Sequence, residues 1–135
     1  MAIKWTEITV PTGSRVQLLD VTAQVNQELS RGNIKSGICH LYVPHTTAGV
    51  TINENADPDV VTDIINGLEK IVPAAGNYRH AEGNSDAHIK ASLMGFSANI
   101  PIINGKLALG TWQGIYFCEF DGPRRRRFLI GLSGD

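Results

Sequence analysis

The chain has four histidines, and two of them, His80 and His88, stand eight residues apart in the stretch YRHAEGNSDAH, residues 78–88. Glu82, Asn84, Ser85 and Asp86 lie between them. Imidazole is the side chain whose proton moves near neutral pH, so such a pair suits acid–base work or metal ligation. A tight turn at Gly83 and Asn84 would bring the two rings together. The spacing does not force that turn, and it is no standard zinc spacing. Loop and capping roles stay open for the same residues. Ser85 or Asn84 can cap a short helix, and Asp86 and His88 then fall in its first turn, where free backbone N–H groups favour anions.

A second polar stretch, PHTTAGVTINENAD (44–57), carries His45 at a strand end, where sites collect, with the hydroxyls of Thr46 and Thr47 beside it. Glu54 and Asn55 close the following strand. Asp57 is accounted for as a helix cap, but folding does not explain Glu54. A carboxylate beside neutral imidazoles suits a divalent cation or a proton relay. The third stretch, GTWQGIYFCEFDGPRRRR (110–127), places Gln113 and Glu119 on one strand face with Ile115 and Phe117. Polar groups in so apolar a run need partners. The arginines that follow read either as a charged edge strand or as phosphate ligands. Alternation puts Arg124 and Arg126 on one face and Arg125 and Arg127 on the other, so both pairs cannot serve one site. His40 differs from the rest. It lies inside an apolar strand and reads as a hydrogen-bonded core or interface histidine.

The elements that must position these groups can be outlined from pattern. Residues 3–10 and 16–21 read as strands, and residues 23–32 as a helix with Thr22 as cap and Gly32 as stop. Residues 36–45 form a strand with Ile38, His40 and Tyr42 on one face and Cys39, Leu41 and Val43 on the other. Both faces are largely apolar, which predicts a central strand. A short strand over 48–55 precedes a helix over 56–72, with Pro58 at its first position and Val61, Ile64, Ile65 and Leu68 as its apolar stripe. A helix over 86–95, strands over 98–103, 107–120 and 124–132, and hairpin-like turns at NGK and DGP complete the chain. This gives seven or eight strands and three helices. The fold class predicted is α+β, a β-sandwich-like arrangement of mixed or antiparallel sheets.

Bulk properties narrow the partners. With 135 residues the chain fits a single domain spanning 1–135. Lysine plus arginine number 12 and aspartate plus glutamate 13, a net charge of −1 that draws the chain to neither nucleic acid nor membrane. Cys39 and Cys118 sit in apolar runs without a C-x-x-C pattern, which reads as buried free thiols and a cytoplasmic protein. The first ten residues lack the apolar core of a signal peptide.

The segments HTTAGVTINENADPDV, HAEGNSDAHIKASLMG and LGTWQGIYFCEFDGPRRRR together resemble the YjbQ-like family, over nearly the whole chain. The resemblance implies a β-sandwich with helices assembled as a homotrimer, with sites near subunit interfaces. It also implies a weak thiamine-phosphate synthase activity, a transferase reaction joining hydroxymethylpyrimidine diphosphate to thiazole phosphate. The family's shared polar positions match His45, Glu54, Asn55, His80, Asn84, Asp86, His88, Gln113, Glu119 and Arg124. On that footing His45, His80 and His88 are expected to share a site, as metal ligands or as acid and base. His45 of one subunit would meet His80 and His88 of a neighbour. Glu54, Asp86 and Glu119 are expected to handle protons or a divalent ion, Mg²⁺ or Zn²⁺. Asn55, Asn84, Gln113, Arg124 and Arg126 are expected to hold a phosphorylated small-molecule substrate. Two other readings stand beside the synthase. One is a metal-dependent hydrolase or lyase with a His-rich centre. The other is a non-catalytic phosphometabolite-binding protein.

Overall fold

The structure is a computed structural model and describes residues 2–135. Eight strands and three helices follow one another as β1 (Lys4–Pro11), β2 (Gln17–Asp20), α1 (Thr22–Gly32), β3 (Ser36–Tyr42), β4 (Ala48–Glu54), α2 (Pro58–Ile71), α3 (Ser85–Met94), β5 (Ser97–Ile103), β6 (Lys106–Leu107), β7 (Gln113–Glu119) and β8 (Arg125–Gly134). They form two sheets, a five-stranded one in the order β1-β8-β3-β5-β6 and a three-stranded one in the order β2-β7-β4. Every pairing is antiparallel. The architecture is therefore the α+β arrangement that the pattern predicts, with the sheets antiparallel throughout.

The central strand of each sheet explains its sequence. β3 lies between β8 and β5 and turns Cys39, Leu41 and Val43 into the layer between the sheets, as its alternation predicts. β7 is apolar on both faces because it is covered on both. Ile115 and Phe117 join Phe128, Ile130 and Val25 between the sheets, while Tyr116, Cys118 and Phe120 face Ala87 and Ala91 of α3. The predicted stripe of α2, Val61, Ile64, Ile65 and Leu68, packs half-buried on that second layer. Its cap is Asp57, which accepts a hydrogen bond from the Asp59 N–H at 2.9 Å, with Pro58 at the first turn.

Four local expectations are corrected. The strand expected over 107–120 is broken, because the Gln113 amide oxygen accepts from the Gly110 N–H at 2.8 Å and folds residues 110–113 into a turn. The cap of α1 is Val21, not Thr22. The Thr22 hydroxyl donates to Asp20 at 2.6 Å and accepts from the Ile115 N–H at 2.8 Å, tying the helix start to β7. The arginine-rich strand β8 is not an edge strand but lies between β1 and β3. Its charge is tolerated there because Arg125 and Arg127 point out of the sheet while Arg126 is neutralised inside. The DGP turn joins no hairpin. It carries the chain from β7 in one sheet to β8 in the other, through a cis peptide bond before Pro123.

Candidate functional site

One end of the sandwich gathers the polar residues. His45 follows β3 and Pro44, Arg124 and Arg126 flank the start of β8, Asp121 sits in the turn between the sheets, and Asn84 and His88 lie at the start of α3. These residues, with Thr46, Thr47 and Glu82, line an open cleft of about 400 Å³.

Its floor is a buried ion pair. Glu119 is fully buried, and Arg126 is 5 % exposed. Arg126 Nε donates to Glu119 Oε1 at 2.8 Å, and its Nη2 contacts Glu119 Oε2 and donates to the Thr47 hydroxyl at 2.8 Å. The carboxylate also accepts from the Thr12 hydroxyl at 2.7 Å and from the Phe120 and Asp121 N–H groups at 3.1 Å. Burial pushes Glu119 up, but these donors outweigh it and hold the carboxyl below its ordinary range. So saturated a carboxylate has no lone pair left for substrate. Arg126 keeps Nη1 without a hydrogen bond among the described residues, at the cleft.

His45 is held in one tautomer. Its Nε2 accepts from the Arg127 backbone N–H at 2.9 Å. A peptide N–H can only donate, so the ring proton of neutral His45 resides on Nδ1. Burial lowers its pKa, and the positive charges of Arg126 and Arg127 lower it further. At neutral pH His45 is a neutral donor through Nδ1–H, with its free lone pair already engaged. That arrangement does not suit a metal ligand.

Arg124 is pinned by Asp121. Its Nε donates to the Asp121 carbonyl at 2.8 Å and its Nη2 to the carboxylate at 3.0 Å. The same carboxylate oxygen accepts from Asn84 Nδ2 at 2.9 Å. Turning the amide over would set oxygen against oxygen, so the Asn84 assignment follows from its partner. Asn84 Oδ1 is left buried without a partner among the described residues. The amide is drawn to Asp121, which is why Asn84 is the N-cap of α3 in place yet makes no side-chain cap bond.

The structure divides the expected site residues into three groups. His45, Asn84, His88, Arg124 and Arg126 line one cleft of one chain. His80 stands next to it, its ring 5.4 Å from that of His88 and nearly edge-on at 74°. His45 and His88 thus share one cleft within a single chain. Asp86 is fully buried away from the cleft, where it accepts from Arg15 at 2.9 and 3.2 Å and from Lys90 at 2.9 Å. Glu54, Asn55 and Gln113 form the third group, at the opposite end of the three-stranded sheet. Ala48 pairs with Glu119 but Glu54 pairs with Gln113, six residues on, which is roughly 20 Å along a strand. Asn55 there donates to Asp20 at 3.1 Å, and Gln113 braces its turn.

Zinc does not match what is present. Among the described residues no three His, Cys, Asp or Glu side chains converge on a point. The cleft does offer oxygen-bearing side chains, Glu82, Asp121 and Asn84. Cys39 and Cys118 are free and buried, with thiols pushed up to about 11 and about 12, so thiolate chemistry is absent at neutral pH. Sequence reasoning missed Glu82 and Asp121 as cleft residues. Asp121 was readable only as the start of a turn.

Comparison with known proteins places this geometry. A family described as UPF0047 protein YjbQ-like matches residues 6–135. The chain belongs to the YjbQ-like family. A UPF0047 protein of Methanocaldococcus jannaschii is 56 % identical over 126 residues, covering 93 % of this chain and 91 % of that one. The protein YugU of Bacillus subtilis is 48 % identical over 128 residues, covering 94 % and 97 %. Among solved structures, an uncharacterised YjbQ/UPF0047-family protein of Clostridium acetobutylicum superposes with a TM-score of 0.93 at 52 % identity, covering 95 % of this chain and 99 % of that chain. A protein of unknown function from Sulfolobus solfataricus reaches 0.95 at 32 % identity, covering 99 % of both. The YjbQ-like fold is thus established for this chain. No helix among the described residues is long and apolar enough to cross a membrane.

Proposed function

We propose that the cleft of this YjbQ-like chain binds the phosphoryl group of a small phosphorylated metabolite and acts on it as an enzyme. The observation that carries the reading is that His45, Thr46, Arg124 and Arg126 line one open cleft, each with a donor group that makes no hydrogen bond among the described residues: His45 Nδ1–H, the Thr46 hydroxyl, Arg124 Nη1 and Arg126 Nη1. Donors held by a rigid second layer suit an oxyanion, and two guanidinium groups match its planar edges. His88 is the one cleft imidazole without a hydrogen bond to its ring among the described residues, so it is the group placed to move a proton. A Mg²⁺-like ion, when bound, would neutralise phosphate charge beside Glu82 and Asp121.

The test is binding of inorganic phosphate and pyrophosphate, read as thermal stabilisation and by calorimetry. Arg124→Ala is expected to weaken phosphate by about 10-fold, the worth of a charge-assisted hydrogen bond of ~1.5 kcal/mol. Its fold should be unaffected, because the Arg124 side chain is 53 % exposed. Unchanged binding in that variant, or none in the parent, would sink the reading. The finer proposal is thiamine-phosphate synthase chemistry, in which the diphosphate leaving group would take the arginines. It predicts turnover of hydroxymethylpyrimidine diphosphate and thiazole phosphate with Mg²⁺ that is lost in His88→Ala. Phosphate binding without such turnover would favour another phosphoryl substrate.

A homotrimer is the partner reading. Its support is the outer face of the five-stranded sheet, where Trp5 is 49 %, Ile38 43 % and Tyr42 45 % exposed with no helix over them. His40 sits among them with both ring nitrogens partnered, by Asn99 at 2.9 Å and Ser133 at 3.0 Å. Arg127 of β8 leaves by this same face while its N–H holds His45, which would put interface and cleft on one strand. Tyr42→Glu is expected to lower the mass seen by light scattering to that of a monomer. A parent that is already monomeric would remove the proposal.

A further inference from the structure

The end of the three-stranded sheet that holds Glu54, Asn55 and Gln113 lies far from the cleft, and phosphate binding gives it no task. Its construction is specific all the same. The Gln113 amide braces residues 110–113 as a turn, and the Trp112 carbonyl accepts from the Asn55 N–H at 3.0 Å. The turn leaves the Trp112 side chain 63 % exposed, next to Glu54. The Glu54 backbone is bonded, but its carboxylate has no hydrogen bond or ion pair among the described residues. Asp57 and Asp59 follow it at the start of α2, so this end is acidic. A tryptophan held in water on a braced turn is a preorganised anchor for an interface.

A matching shape stands beside the cleft. A groove of about 360 Å³ is lined by Tyr78, Arg79, His80, Ser85, His88 and Ile89. The Tyr78 hydroxyl donates to the Pro73 carbonyl at 2.5 Å, and the His80 and His88 rings pack edge to face at 5.4 Å. Ile89 is exposed, and Leu93, one turn further along α3, continues the apolar wall. Arg79 adds a positive charge that is exposed and has no ion pair among the described residues.

Knob and groove lie apart in one chain. Ala48 pairs with Glu119 beneath the cleft, and Glu54 is six residues on, roughly 20 Å along the strand. Between copies they can meet. Unlike patches give a head-to-tail contact, in which each copy offers one patch and receives the other. Such a contact can close a ring of three, whereas a two-fold contact stops at a pair.

We infer that Trp112 of one copy seats in the Tyr78–His80–Ile89 groove of the next, with the Glu54 carboxylate beside it facing Arg79 of the receiving copy. The charges are complementary, negative at the knob and positive at the groove. His88 lines both cavities, so an indole in the groove covers one side of that imidazole and shields it from water. The neighbour thereby supplies one wall of the site. This rests on the homotrimer reading above and names what each copy contributes to the next.

The experiment places Glu54→Cys and Arg79→Cys in one chain and treats it with a short bis-maleimide. Cys39 and Cys118 are buried, so the parent should stay unlinked. The new thiols are too far apart to be bridged within one chain, so a product joins copies. The double variant is expected to run as covalent dimer and trimer on a denaturing gel, with each single variant at the mass of one chain. Trp112→Ala, a change at an exposed side chain, is expected to raise the concentration at which the assembly comes apart by roughly 10-fold or more. Adding Ile89→Asp to it should cost little further, because both act on one contact. A trimeric parent whose double variant is not linked overturns the inference and leaves the homotrimer standing. Single variants that link as readily as the double one mean a two-fold contact, which also overturns it. A parent that is monomeric by light scattering overturns both.

Discussion

Arg126→Met is expected to destabilise the fold by about 3–5 kcal/mol, the cost of leaving one member of a buried ion pair alone. Met matches the aliphatic stem of arginine but supplies no donor. Glu119 then keeps the Thr12 hydroxyl and two backbone N–H groups, and loses the positive charge bonded to it. Denaturant unfolding measures the loss directly. Adding Glu119→Gln should recover most of it. The Gln oxygen can still accept from Phe120 and Asp121, its amide can face the Thr12 hydroxyl, and no unpaired charge is left at that position. A single substitution costing under about 1 kcal/mol would mean the pair is solvated after all. The variant also removes Arg126 Nη1 from the cleft, so phosphate binding should weaken in the refolded protein.

That pair shows where the sequence stops being legible. Glu119 stands out as a polar residue in an apolar strand, and the need for a partner can be read from the letters alone. The partner cannot. Arg126 is seven residues away across a turn that looks like a hairpin, which would put the two side chains on paired strands of one sheet. In the molecule the turn switches sheets, and the two groups meet across the layer between them. Strand existence, the capped helix at Pro58 and the alternation of β3 are local properties, and they were readable. Which polar end faces which depends on sheet order. Glu54, Asn55 and Gln113 therefore looked like neighbours of His45, although they lie at the far end of the same strands. Arg124 and Arg126 do line one cleft, although Arg124 lies just before β8 begins and strand alternation does not reach it.

Asp86 is the clearest case of a residue whose polarity serves the fold, and it supports the second large prediction. Its carboxylate lies between Arg15 and Lys90, and Lys90, itself 1 % exposed, reaches on to Glu69 of α2 at 2.6 Å. The cluster ties α2, α3 and the segment after β1 together under the helix start that carries Asn84 and His88. Lys90→Met is expected to cost about 3 kcal/mol, the low end for a broken buried pair because Arg15 still faces Asp86. Its signature is the acid limb of stability. Burial pushes Asp86 up, but hydrogen bonds from Arg15 and Lys90 outweigh it, and the folded carboxyl sits below its ordinary 3.8. The unfolded chain then binds the proton first, so this contribution is complete above pH ~4 and lost as pH falls through the folded value. Removing Lys90 takes away a donor and leaves the burial. The Asp86 carboxyl must rise, and acid unfolding must begin at higher pH than in the parent. Circular dichroism across pH 2–7 reads the midpoint. A midpoint that stays in place would show that Arg15 alone holds Asp86 ionised, and that Lys90 is buried for Glu69. A shifted midpoint with a matching loss of phosphate binding near pH 5 would tie the ion cluster to the cleft above it. Asn84 and His88 keep their geometry only while the first turn of α3 stays seated.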